Sequence, residues 1–147
     1  FTVFNQDQFK EQLGDVARIF GAVLYSIAGI SIVVGAIGIM NIMLVSVTER
    51  TREIGVRIAV GARRLDILKQ FLAEASIISM LGGGLGVVCG WAIANFLGEF
   101  TQVLQVYTPP EIIVLALLMA AMVGIVSGIY PAIRAARLDP VRSLRYE

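Results

Sequence analysis

The sequence predicts an all-α membrane protein with three transmembrane helices, a charged cytoplasmic helix and the start of an amphipathic extracytoplasmic stalk. Hydrophobic residues make up 57% of the 147 residues and charged residues 16%, against the roughly 25% that is usual in a soluble domain. No charged residue falls within 19–48, 75–98 or 112–133. Each run is longer than the roughly 20 residues that cross a hydrocarbon core, and a soluble core would need water-facing surfaces that these runs do not supply.

The distribution of lysine and arginine predicts the orientation of the spans. Segment 49–74 holds six of the twelve basic residues and the tail 134–147 holds four, whereas the loop 99–111 holds none. The positive-inside rule therefore places 49–74 and the C-terminus in the cytoplasm, and 1–18 and 99–111 outside. Because residues 1–18 carry no signal sequence, we expect the chain to be the C-terminal part of a longer protein with an earlier membrane segment.

The first span is predicted to continue outward as a helix. In segment 1–18, Phe9, Leu13 and Val16 recur at helical spacing after Asn5, which is a suitable N-cap. The span itself, 19–48, is longer than the bilayer core at about 1.5 Å per residue, so it should protrude or tilt. These features predict the end of an extracytoplasmic domain and a stalk helix that leads into the membrane.

The segment ERTREIGVRIAVGARR, residues 49–64, is predicted to form a short surface helix. Glu53 and Arg57 are spaced for an ion pair on one helix face, and Ile54 and Ile58 share another face. Gly61 is predicted to end the helix in a left-handed turn, before an interfacial helix that then turns inward. Positive charge alone would keep this loop inside, and an anionic membrane would also favour basic residues alone. The presence of acidic residues therefore favours docking of a protein.

Small residues recur every fourth position in the second and third spans, a spacing that lets helix backbones approach closely in lipid. These ridges predict helix-packing positions at Gly82, Gly86, Gly90, Gly124 and Gly128. The GGGLG run is not predicted to bind phosphate, because no Lys-Ser/Thr pair follows it.

No catalytic or metal-binding residue is predicted in this chain. The sequence has no histidine and one cysteine, Cys89, which is expected to be a packing residue. No Asp, Glu, Lys, Arg or His lies within a span, where it would suggest an ion path. The net charge of +1 gives no support for nucleic-acid binding. The chain is therefore not expected to be an enzyme by itself.

Two long motifs resemble the FtsX-like permease domain, close to the MacB type of ABC transporter. They are NIMLVSVTERTREIGVRIAVGARRLDILKQFLAEA, residues 41–75, and YPAIRAARLDPVRSLRYE, residues 130–147. The resemblance implies a preceding membrane helix and a large extracytoplasmic domain, with this chain as the second to fourth helices. It also implies the bacterial inner membrane, a homodimer, an ABC ATPase subunit or domain that binds ATP and Mg, and an extracytoplasmic adaptor of the membrane fusion type.

Under this resemblance the helix that follows the first span is the coupling helix, which rests on the ATPase. The arginines and Glu53 are expected to contact the ATPase, Ile54 to act as an apolar anchor, and two glycines to permit close approach and the turn. The predicted ATPase-coupling residues are Glu49, Arg50, Arg52, Glu53, Ile54, Gly55, Arg57 and Gly61. The function implied is that of an efflux permease that converts ATP hydrolysis into movement of the extracytoplasmic domain.

Two alternatives use the same sequence features. The chain could belong to an FtsX-like envelope-regulating or signalling protein that is coupled to an ABC ATPase, or it could be a plain membrane anchor. In the tail, Asp139 and Pro140 predict a helix start that docks either on the ATPase or on the anionic inner surface of the membrane.

Overall fold

The fold is all helical in the part of the chain that the structure describes. A computed structural model describes residues 6–101 and 109–139. These residues form four helices: α1 (Gln6–Glu49), α2 (Thr51–Ala59), α3 (Arg64–Thr101) and α4 (Pro110–Ala136). Three stretches, Gln8–Glu49, Arg64–Glu99 and Pro110–Ala136, are long and apolar enough to cross a membrane. The prediction of an all-α membrane protein with three spans is confirmed.

The chain divides into two compact units, Phe1–Gly35 and Ala36–Glu147. In the first unit, the described residues belong to α1, and Phe9, Leu13 and Val16 are each about half exposed. The helix runs through these residues into the uncharged segment without a break, as their spacing predicts. Asn5 lies outside the described residues, so its predicted capping role stays a prediction.

The second unit has its core where α1 and α4 end and α3 begins. The buried side chains of this core come from all four helices and are Met43, Val47, Ile54, Ile67, Phe71, Ala75, Ala132 and Ala135. Farther along the long helices, large apolar side chains such as Leu85 and Val126 remain exposed. Side-chain packing in this unit is therefore concentrated around α2 and the charged ends of the spans.

The second span differs from its prediction. An interfacial helix was expected to turn inward near residue 75, but α3 is one uninterrupted helix of 38 residues. No glycine or proline occurs between residues 64 and 81 to break it. Phe71 and Ala75 are buried in the core on either side of the expected turn, so the packing continues through it.

Small residues bring α3 and α4 together. A Cβ added at Gly124 would lie 2.7 Å from the Ala75 carbonyl oxygen, and one at Gly128 would lie 2.6 Å from the Ala75 Cβ. The Ser79 hydroxyl donates a hydrogen bond across the interface to the Ala120 carbonyl oxygen. These contacts leave no room for a larger residue on this part of α4.

The small residues of α3 that α4 contacts are not those of the predicted ridge. Within the described residues, a Cβ added at Gly82, Gly86 or Gly90 would meet no atom beyond its own helical turn within 4 Å, whereas one at Gly83 would collide with Ala120. Gly90 borders an apolar crevice between α3 and α4 of about 200 Å³. Within this chain, α4 therefore contacts the row of Ala75, Ser79 and Gly83.

The two remaining predicted segments are described only in part. In the loop predicted at 99–111, α3 continues to Thr101, and Pro109 has the extended backbone that precedes a helix start at Pro110. At the C-terminus, α4 ends at Ala136. The helix start predicted at Asp139 and Pro140 reaches outside the described residues.

Candidate functional site

The short helix α2 is joined to the first span by a single residue. Helix α1 ends at Glu49, so the first of the predicted coupling residues belongs to the span and not to α2. Arg50 continues the hydrogen-bond pattern on both sides, because its N–H donates to Ser46 and its carbonyl accepts from Ile54, each at 3.0 Å. This short connection couples the position of α2 directly to the end of α1.

The other end of α2 closes in the predicted left-handed turn. Gly61 has a φ of 106°, a conformation that a residue with a Cβ rarely adopts. Its N–H donates to the Ile58 carbonyl at 3.0 Å, and the N–H of Ala62 donates to the Arg57 carbonyl at 2.9 Å. This pair of bonds is the Schellman motif, and four residues separate the end of α2 at Ala59 from the start of α3 at Arg64.

The inner face of α2 is buried in the chain's own core. Ile54 is only 3% exposed, and Gly55 beside it is also buried. Ile54 was expected to be an apolar anchor for an ATPase, but its side chain packs with the core of this chain. The spacing of Ile54 and Ile58 correctly predicts an apolar face. The sequence does not show that this face packs against the membrane helices.

Two arginines hold the sides of α2 against α3. Arg50 Nη1 lies 3.4 Å from Glu74 Oε1. Arg57 Nη1 donates to Gln70 Oε1 at 2.8 Å, and Arg57 also forms the predicted ion pair with Glu53 on α2 itself. Exposed ion pairs contribute only about 0.2 to 1 kcal/mol each. We therefore read these contacts as orienting α2, while the buried core supplies most of its attachment.

The outer face of α2 carries one charged and two apolar side chains in a row. Arg52, Val56 and Val60 are spaced by four residues and so share a helix face. Val56 is 44% exposed and Val60 is 84% exposed. Within the described part of the chain, Arg52 forms no ion pair with a carboxylate. The two valines were not predicted to be functional residues, although their spacing on the face opposite Ile54 is a signal that could have identified them.

A recess lies beside this face, between the end of α1, the start of α2 and the end of α4. Its volume is about 380 Å³, and its lining residues are Val47, Thr48, Glu49, Thr51, Arg52, Arg134 and Leu138. We call it the α2 recess. The Thr48 and Thr51 hydroxyls donate to carbonyls of the preceding turn, at 2.7 Å to Val45 and 2.9 Å to Val47. The recess thus combines one acidic and two basic side chains with apolar walls.

The chemistry that α2 offers is that of a binding surface. Within 6–101 and 109–139, no group of three or more His, Cys, Asp or Glu residues could hold a metal ion. Ion pairs, hydrogen bonds and apolar contact are what the outer face and the α2 recess present. Mixed charge of this kind complements the surface of a folded protein better than it complements a uniformly anionic membrane surface.

Comparisons with known proteins identify similar sequences over the whole chain. The family described as FtsX-like permease C-terminal matches residues 25–140. Proteins named macrolide export ATP-binding/permease protein MacB are 48% identical in Bdellovibrio bacteriovorus and 43% identical in Hahella chejuensis, each over all 147 residues of this chain. A third, from Chromobacterium violaceum, is 42% identical over the same length. The chain spans 22 to 23% of the length of these relatives.

Proposed function

The chain belongs to the FtsX-like permease C-terminal family, and from this we propose that it is the membrane permease part of a MacB-type ABC exporter. In this proposal α2 is the coupling helix that receives movement from an ABC ATPase. ATP and Mg are bound by the ATPase, either as a separate subunit or as a domain of the same protein. The names of the relatives, which join ATP-binding and permease functions, support the fused arrangement.

The observation that carries the proposal is the attachment of α2 on one face only. Ile54 fixes the inner face in a core that all four helices share, while Arg52, Val56 and Val60 remain exposed on the outer face. A force applied to the outer face would therefore move the ends of three spans together. That is the mechanical requirement for passing the closure of an ATPase to the membrane.

The proposed topology follows from the distribution of charge. Helix α2 and the C-terminus lie in the cytoplasm, and the α3–α4 connection lies outside, because the basic residues cluster at 49–74 and 134–147. The protein is then a multi-pass component of the bacterial inner membrane. Helix α1 carries movement toward an extracytoplasmic domain, where substrate is handled.

The proposed assembly contains two permease copies and an extracytoplasmic adaptor. The open face of α3 at Gly82 and Gly86 supports contact with another helix, because small residues favour close packing in lipid. Macrolides are the proposed substrate class, on the names of the relatives alone.

The proposal is tested by changing the outer face of α2 in the full-length protein. Arg52→Glu and Val60→Asp should each lower macrolide export about tenfold or more, because a wrong charge in a docked interface costs several kcal/mol. Basal ATP hydrolysis and membrane levels should stay within about twofold, since both side chains lie outside the core. Export and ATP hydrolysis would be measured in membranes with matched protein levels.

Glu111→Arg is the control, because it reverses one charge at an exposed position in the loop that is predicted to lie on the other side of the membrane. Full export by both outer-face variants would leave the chain as a plain membrane anchor. If the outer-face variants impair an envelope function while macrolide export stays unchanged, the result would favour the signalling alternative instead.

A further inference from the structure

A second cleft lies at the same end of the molecule, between the start of α3 and the end of α4. Its volume is about 210 Å³, and it is lined by Arg64, Leu65, Leu68, Ile133, Ala136 and Arg137. We call it the α3–α4 cleft. We propose that it binds the phosphate headgroup of one anionic phospholipid from the adjacent leaflet of the membrane. This proposal does not depend on coupling to an ATPase.

The charges that line the cleft call for an anion. Arg64 and Arg137 are both exposed, and within the described residues neither forms an ion pair with a carboxylate. Asp66 and Asp139 each lie two residues along the chain, but neither lines the cleft. Arg64 begins α3 and Arg137 follows α4, so an anion in the cleft can be contacted by a guanidinium group from each helix end. Arginine is well suited to that anion, because its planar donors match the oxygens of a phosphate.

The remaining walls identify the anion as part of an amphiphile. The four other lining residues are aliphatic, so a free hydrated ion would leave most of the surface without a partner. Ile133 is the last residue of the uncharged run of α4, and Leu68 lies one turn along α3 from Arg64. A phosphate held by the arginines would therefore have its glycerol and first acyl carbons against Leu68 and Ile133.

The depth of the cleft agrees with a headgroup site. Arg137 follows Ile133 by four residues, which is about 6 Å along a helix axis. Arg137 therefore lies just beyond the uncharged run of α4, which is where the proposal requires the lipid phosphate to be. The volume is below the roughly 300 Å³ at which pockets for drug-sized ligands begin, so the cleft would take a headgroup and leave the acyl chains in the bilayer.

The α2 recess, which is lined by Arg134 and Leu138, provides a contrast at the same end of α4. It also has two arginines, Arg52 and Arg134, but Glu49 lies between the same walls. The carboxylate reduces the attraction for a phosphate and suits a protein surface of mixed charge. The end of α4 thus separates a recess for a protein from a cleft for a lipid.

The proposal is tested by native mass spectrometry of the purified full-length protein, released from nanodiscs that contain equal amounts of phosphatidylglycerol and phosphatidylcholine. The parent protein should retain phosphatidylglycerol in clear preference. The double variant Arg64→Gln/Arg137→Gln should bind it about tenfold or more weakly, because two charge-assisted contacts are lost. The double variant Arg64→Lys/Arg137→Lys should bind it about threefold more weakly, because it keeps both charges but loses the planar donors that match a phosphate. If the glutamine pair fails to fold, undiminished binding by the lysine pair would overturn the proposal in favour of general surface attraction.

The matched control is Arg63→Gln/Lys69→Gln, which removes the same net charge from exposed positions outside the cleft. It should change phosphatidylglycerol binding by less than about twofold. An equal loss in both double glutamine variants would overturn the proposal in favour of general surface attraction. Inorganic phosphate that displaces the lipid at equal concentration, or phosphatidylglycerol binding that is unchanged in the Arg64→Gln/Arg137→Gln variant, would also overturn it.

Discussion

The two faces of α3 present similar small residues to very different surroundings. On one face, Gly83 lies against Ala120, and Ser79 donates a hydrogen bond to the backbone of α4. On the other face, a Cβ added at Gly82 or Gly86 would meet no atom beyond its own helical turn within 4 Å, among the residues that the structure describes. The spacing of four residues is the same on both faces, so spacing identifies where close packing is possible but does not identify the partner.

The difference has a physical cause in the bilayer. Lipid tails are as apolar as aliphatic side chains, so helices associate there through close contact and hydrogen bonds and gain little from burial. Helix α4 contacts one row of small residues on α3 and leaves the other for lipid or for another helix. The following substitutions test the difference in packing between the two faces, from the largest expected effect on stability to the smallest.

The largest effect is expected from Gly124→Leu on the α4 side of the packed face. Even a Cβ there would lie 2.7 Å from the Ala75 carbonyl oxygen and 2.8 Å from the Ser76 Cα, and backbone cannot move aside easily. Overpacking of this kind costs about 1 to 3 kcal/mol or more. Unfolding by dodecyl sulfate in mixed micelles should show the loss. Stability equal to the parent protein would mean that α3 and α4 are not packed at this position.

A smaller effect is expected from Ser79→Ala, which removes the hydrogen bond from α3 to the Ala120 carbonyl. Hydrogen bonds between membrane helices are worth about 0.6 kcal/mol on average, so the same unfolding assay should show a loss of about that size. Ser26→Ala is the control, because the Ser26 hydroxyl bonds only to Ala22 in its own helix, at 2.8 Å. Equal losses of stability in both variants would mean that the hydrogen bond between α3 and α4 contributes no more than one within a single helix.

The smallest effect is expected from Gly86→Ala on the open face. No described atom outside its own helical turn lies within 4 Å of the added methyl group, so no packing loss is expected, and the free energy of unfolding should stay equal or rise slightly with the higher helix propensity of alanine. The measurement is made on the monomeric chain and on the assembled transporter. A large loss in the monomer would contradict the difference between the faces. A loss confined to the assembly would show that a second copy packs on this face.

Much of the fold could be predicted because its signals are local in sequence. The uncharged runs identify the three spans, and a glycine after an amphipathic segment identifies the turn at Gly61. Both signals reflect the cost of exposing charge to lipid and of placing a Cβ at positive φ, which act on a residue whatever its tertiary neighbours are.

The details of the candidate site could not be predicted because they depend on contacts between distant residues. Arg50 pairs with Glu74, which is 24 residues away, and nothing in the local sequence distinguishes Arg50 from Arg52. The inward direction of Ile54 follows from its packing with residues of the other three helices in the core. The burial of Phe71 and Ala75 along α3 likewise depends on other helices, whereas the charge pattern alone suggested an interfacial helix that turns inward.

Gly61 has a consequence for the stereochemistry of the turn. Its φ of 106° strains an L-residue, yet an added Cβ would meet nothing within 4 Å, so the obstacle to a side chain is chirality and not space. An L-residue would cost about 1 to 2 kcal/mol in this region, while D-alanine would adopt the same φ without strain. The genetic code offers no such mirror-image residue. Among encoded amino acids, glycine is therefore the one unstrained choice at this turn, and the path from α2 to α3 has no neutral substitution at this position.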